Sequence, residues 1–346
     1  MPITIHTTIR DVNVPVFLAG YPGAGGVGTA PLHHPLKVSL ASLRRAALMV
    51  GHPRGFWSKK SRIYKNYANL RKAGISLALN YKNGTQHKSV KTVLDRLLEV
   101  AEKVPLAGIF GNAVTKLLAE KIIGAKLMFF TELYNSVTGH SGPNAKSLTF
   151  NTKKRGDFFA QIPSGLWVSI ESKARTAKKL SVKDNVIAKA QANSLTWVNM
   201  QSVYNHFVSA VFIRESDIAA EFYDPPPTRD NRIAVTEFKL LENYYRSVRD
   251  LADTDFPRHS LSINGEVFEM FSLEECGFSA GLHPAVESYL QSSGESVTLD
   301  GLDKILDGLK ESYDVEDAEQ QKIQLHCGPD GVLIHSTDNS DTVIPV

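Results

Sequence analysis

Apolar and polar positions alternate near the N-terminus (Ile3, Ile5, then Val12, Val14, Val16), which predicts one or two short strands before residue 20. A Gly/Pro-rich loop follows over 20–36. Apolar positions then recur at helical spacing from 38 to about 50, and residues 54–72 form a basic segment interleaved with aromatics. Further helices are predicted at about 87–103 and 112–136, the second from Leu117, Leu118, Ile122, Leu127, Phe130 and Leu133. Strand-like runs occupy 148–152, 157–161 and 167–172, with Pro163-Ser164-Gly165 as turn chemistry between the last two. A helix over 184–203 and a buried strand over 206–214 come next. The three prolines within 223–231 mark a break, because proline continues neither helix nor central strand. Thr236 is placed to cap a helix over about 237–252; a helix near 300–312 and a strand at 331–335 follow, and the last ten residues read as frayed.

The overall charge of +3 conceals an asymmetry. Residues 44–179 hold 25 Lys and Arg against 7 Asp and Glu, a net of +18; residues 180–346 hold 12 against 28, a net of −16. A basic segment of this kind suits a polyanion, since each cation set on a phosphate releases counterions. Mutual neutralisation of the two halves across an interface is the alternative. No run approaches the roughly 18 apolar residues of a membrane span, and the N-terminus lacks the pattern of a secretory leader. Cys276 and Cys327 form no CxxC pair, which excludes a cysteine-rich zinc module and suits a cytoplasmic protein.

The stretch from Arg155 to Lys173 carries the chemistry. A hairpin across the 162–166 turn would put Asp157 near the start of one strand and Glu171 near the end of the next, at one end of a sheet. Glu171 and Lys173, two apart, project to one face. Two hard carboxylates can hold Mg²⁺, which neutralises a phosphodiester and lowers the pKa of bound water. A lysine beside them can orient that water and offset transition-state charge. The bland alternative is two acids and a lysine on a solvated hairpin, and the spacing by itself does not separate the two.

The order of helix, acid, turn, apolar strand, acid-x-lysine, helix and strand over about 112–214 resembles the PD-(D/E)xK, or restriction-endonuclease-like, superfamily. The resemblance implies Asp157 and Glu171 as ligands of Mg²⁺, for which Mn²⁺ would substitute, and Lys173 as the catalytic lysine. It further implies Glu132, from the preceding helix, as an added metal ligand and Gln191, from the following one, as an added catalytic residue. Gly156 departs from the proline of the motif's name. Lys153, Lys154, Arg155, Arg175, Lys178 and Lys179 flank the hairpin as phosphate contacts, and Lys59, Lys60 and Arg62 offer more beside stackable aromatics.

Two other patterns are set aside. Gly23, Gly25 and Gly28 fit G-x-G-x-x-G, but the prolines that follow cannot open the required helix. Glu237-Phe238-Lys239 repeats Glu-x-Lys at a helix start, where an acid is favoured by the dipole alone.

The expectation is an α/β protein: a mixed central sheet flanked by helices, with a restriction-endonuclease-like core, a helical N-terminal part and an acidic C-terminal extension. Its regions are 1–110 (basic, nucleic-acid binding), 111–222 (nuclease core) and 223–346 (assembly or regulation). The expected partner is DNA, double-stranded in preference, acted on by a restriction-type endonuclease working as a homodimer. The competing expectations are a DNA-binding or assembly protein that keeps the fold without turnover, and an adaptor whose halves pair by charge.

Overall fold

The computed structural model describes residues 12–19, 32–38, 40–50, 61–78, 99–134, 156–177, 179–195, 197–199, 201–213, 218–223, 232–233, 235–252, 256–263, 265–273, 277–292, 297–313 and 325–336. They form a mixed α/β structure of two sheets and seven helices. The larger sheet runs β2 (Leu32–Val38), β1 (Val12–Ala19), β8 (Ile218–Tyr223), β7 (Gln201–Ile213), β5 (Trp167–Arg175), β4 (Phe158–Gln161), β3 (Met128–Phe130). β3, β4 and β5 make an antiparallel meander; β7 lies parallel to β5, and β8 antiparallel to β7. The short β6 (Trp197–Val198) and β9 (Arg232–Ile233) attach beside β7.

α1 (Leu40–Met49), α2 (Ser61–Ala78) and α3 (Val100–Ile122) pack on one another, and α3 lies against β5. The alternation of β5 sends Val168, Ile170 and Ala174 toward α3, where they meet Phe110, Val114 and Leu118 in one core. The approach is close: a Cβ on Gly111 would stand 2.6 Å from the Ala174 Cβ. On the opposite face Phe129, Phe159 and Trp167 stack at 5.3 to 6.2 Å between ring centres and enter a second core with Leu240, Leu241 and Tyr244 of α5 (Glu237–Ala252). α4 (Val182–Ala192) covers the rest of that face, with Ala188 and Ala192 against Val208.

The predicted helix over 112–136 is not one helix. α3 begins at Val100 behind a reciprocal Glu99–Glu102 cap and stops at Ile122, because Gly124 takes φ +69° and turns the chain. Met128–Phe130 is then a strand, and Thr131–Tyr134 a single 3-10 turn. The predicted helix over 184–203 likewise ends at Ala192, and β7 begins at Gln201. β2 occupies most of the latter half of the predicted 20–36 loop. The run over 148–152, the glycines at 23, 25 and 28, and the last ten residues lie outside the described residues.

The acidic C-terminal region is more than an extension of one central sheet. It builds a second, antiparallel sheet in the order β10 (Arg258–Ile263), β11 (Glu266–Leu273), β12 (Phe278–Leu282), β14 (Val332–Ser336), β13 (Leu325–Cys327). α6 (Pro284–Gln291) and α7 (Leu299–Tyr313) pack against it. The three expected regions share their packing. α3 crosses from residue 100 to 122, β1 and β2 belong to the larger sheet, and the second core joins Met49, Phe159 and Ile334. No helix among the described residues is long and apolar enough to cross a membrane.

Candidate active site

The site forms where the β4–β5 ladder ends. Phe158 pairs with Ile170, and the next positions are Asp157 and Glu171. There the backbone ladder gives way to carboxylates. The Ser172 N–H donates to Asp157 Oδ2 at 3.0 Å, and the Asp157 N–H donates to Glu171 Oε2 at 3.1 Å. Each acid thus accepts a backbone hydrogen from the other's strand, which holds both side chains at one end of the β4–β5 ladder. Lys173, the next residue on that face of β5, pairs with Glu171 Oε1 and donates to Gln191 Oε1 of α4 at 3.0 Å.

Glu171 is fully buried, while the Lys173 side chain keeps 17% exposure. Burial pushes the Glu171 carboxyl well above the usual range, and the Asp157 charge adds to this; Lys173 and the Asp157 N–H pull the other way. Two carboxyls held this close disfavour each other's charged forms, and a cation between them would relieve that. The donor set is hard, and Mg²⁺ takes one or two carboxylates, with water and phosphate oxygens completing its shell. Asp157 and Glu171 fit such an ion.

α3 supports the arrangement from the other face of β5. The Thr115 hydroxyl sits 3.0 Å from Ser172 Oγ and donates to Ser209 Oγ at 2.8 Å, all three buried. Gly156 explains the departure from proline. Its N–H donates to the buried Ser194 Oγ at 3.1 Å, and a Cβ there would lie 3.0 Å from Ser169 Oγ and 3.3 Å from the Gln191 carbonyl oxygen. Proline has no such hydrogen and carries such a carbon.

Asp157, Glu171, Lys173 and Gln191 are thus brought together. Glu132 is not on the preceding helix: it lies exposed on the 3-10 turn after β3. Among the described residues no three acidic, histidine or cysteine side chains gather as a metal cluster, so Glu132 makes no triad with Asp157 and Glu171. Arg175 is tied to Asp184 of α4 at 3.4 Å, while Lys179 is exposed. Lys59, Lys60, Lys153, Lys154, Arg155 and Lys178 lie outside the described residues; Arg62 lies in α2, its side chain outside them.

Sequence reasoning did not find Ser194, Thr115 or Thr131. Thr131 continues the β3–β4 ladder, its N–H donating to the Asp157 carbonyl at 2.9 Å. An assignment of Met128–Phe130 to a strand would have placed Thr131 opposite Asp157. In comparison with known proteins, the chain matches no family model, no curated protein and no solved structure.

Proposed function

We propose that the chain is a metal-dependent deoxyribonuclease that hydrolyses DNA phosphodiester bonds, of the PD-(D/E)xK kind and most naturally a restriction-type endonuclease. The observation that carries this reading is the reciprocal bonding of Asp157 and Glu171 with Lys173 Nζ set between Glu171 and Gln191. The order α3, β3, β4, β5, α4, then β7 parallel to β5, follows the arrangement the resemblance implies and supports it further.

In this reading Asp157 and Glu171 hold Mg²⁺ or Mn²⁺. A bound ion of this class neutralises phosphate charge and makes water acidic enough to attack near neutral pH. Glu171 Oε1 and Gln191 Oε1 hold Lys173 Nζ in place, which leaves its third hydrogen to donate to the attacking water or to a phosphate oxygen. Burial keeps bulk water from screening these charges. Lys179 and the other flanking cations of the basic half contact the phosphate backbone.

The other reading, a DNA-binding protein without turnover, keeps the fold and loses only the chemistry. A plasmid-nicking assay in Mg²⁺ or Mn²⁺ separates them, with Lys173→Ala as control and duplex binding measured in parallel. Turnover by the wild type, with loss of nicking but not of binding in Lys173→Ala, is the expected result. Binding without nicking in either ion would favour the second reading.

A further inference from the structure

Among the buried polar atoms near the site, Ser169 Oγ and Thr131 Oγ1 make no hydrogen bond, and of these Thr131 is bonded through its backbone to Asp157. Thr131 is 1% exposed, and its Oγ1 makes no hydrogen bond. A hydroxyl left so is destabilising, and such groups in native proteins point to a water, an ion or a functional role. Its place in the sheet is specific. The β3–β4 register pairs Phe130 with Phe158, and the Thr131 N–H bond to the Asp157 carbonyl continues it by one step. The bond sets Thr131, the first residue of the 3-10 turn, against the Asp157 backbone just past the last pair of the β3–β4 ladder, and the Asp157 N–H in turn reaches the Glu171 carboxylate.

Asp157 and Glu171 each accept from the other's strand and Glu171 pairs with Lys173, but Thr131 offers an oxygen that nothing among the described residues uses. A cation held by only two carboxylates keeps several waters, and these need acceptors or donors in the wall around them. Glu132 lies exposed on the 3-10 turn, so it does not supply that oxygen.

We propose that the Thr131 hydroxyl is a positioning residue of the cation site, hydrogen-bonding a water of the divalent ion held by Asp157 and Glu171. The inference rests on the metal-dependent reading above and adds to it a neutral third oxygen. Valine matches threonine in shape without the hydroxyl. Thr131→Val therefore keeps or raises the thermal midpoint of the metal-free protein while weakening the ion.

The test is titration of the full-length protein with Mn²⁺, followed by calorimetry and by the rise in thermal midpoint. Wild type, Thr131→Val, Thr131→Ser, Thr131→Ala and Glu171→Gln are compared. Loss of an outer-shell partner commonly costs 10- to 100-fold in metal affinity. The expected result is Mn²⁺ binding at least about 10-fold weaker in Thr131→Val, near wild type in Thr131→Ser, and absent in Glu171→Gln. If Thr131→Val does not fold, Thr131→Ala against Thr131→Ser carries the same comparison. Equal Mn²⁺ affinity with and without the hydroxyl, with Glu171→Gln still deficient, would overturn the role of Thr131 and leave the nuclease reading standing. No Mn²⁺ binding by the wild type, or undiminished binding by Glu171→Gln, would overturn the cation site itself.

Discussion

Gly156 shows how a single residue shapes the site. Its bare α-carbon lets β4 start against Ser169 and the Gln191 carbonyl, and its N–H satisfies Ser194. Gly156→Pro restores the motif's named proline yet should destabilise the fold by about 1–3 kcal/mol, since a buried acceptor loses its donor and a carbon is forced into occupied space. Urea unfolding of the variant against the wild type measures it. Glu171 has the opposite character: burial beside Asp157 disfavours its charged form, and the fold alone would be better served by a neutral side chain there. Glu171→Gln should raise the thermal midpoint of the metal-free protein while abolishing cleavage. A lowered midpoint would mean that the Lys173 pairing outweighs the burial.

At the scale of elements, α3 decides where the hairpin sits. It touches Ala174 through Gly111 and joins Ser172 to Ser209 through Thr115. Gly111→Val should push α3 off β5, with a loss of about 1–3 kcal/mol and reduced cleavage at unchanged ligand residues; chemical denaturation and a rate measurement read both effects. The hairpin was legible in the sequence because its signals are local: alternation in 167–172, turn residues at 163–165, and Glu171 and Lys173 two apart. Thr236 was legible for the same reason, its hydroxyl accepting from the Lys239 N–H at 3.2 Å. β3 was not legible, because Leu127, Phe130 and Leu133 fit a helical period as well as a strand and only the left-handed Gly124 decides between them. β10 to β12 were missed because charged and serine positions interrupt their apolar residues and pairing partners lie in distant sequence. Arg175 read as a phosphate contact, yet its partner Asp184 is supplied by how α4 packs.

Across the whole molecule, part of the charge asymmetry closes on itself. Arg45 of α1 and Lys116 of α3 meet Glu120 and Asp330 in a fully packed cluster, with Arg45 2.5 Å from Glu120 and 2.7 Å from Asp330. Tyr244 donates to Asp330 Oδ2 at 2.6 Å and Tyr245 to its carbonyl at 2.8 Å, while Lys126 reaches Asp303 and Asp307 at 2.7 Å. The basic half is thus fastened to the second sheet through a turn whose sequence gives no local sign of the role. Burial works against the Asp330 carboxylate, but Arg45 and Lys116 prevail and hold it down at about 2. A carboxyl held below its ordinary value of 3.8 stabilises the fold above that pH, and the contribution fades as pH falls toward about 2. Asp330→Ala, which leaves Arg45 and Lys116 short of a partner, should cost about 3–5 kcal/mol and flatten this acid limb, as followed by circular dichroism from pH 5 to pH 2. If the basic half binds DNA as proposed, duplex affinity should fall steeply as salt rises, which a binding titration at two salt concentrations would read.

Hydrolysis at Asp157, Glu171 and Lys173, as proposed, is read by nicking of supercoiled plasmid by the full chain in Mg²⁺, in Mn²⁺ and in chelator. Nicking is expected with either ion and not in chelator, with a loss of about 100-fold or more in Lys173→Ala and in Glu171→Ala. Absence of nicking by the wild type in both ions, or nicking by Glu171→Ala at the wild-type rate, would contradict it.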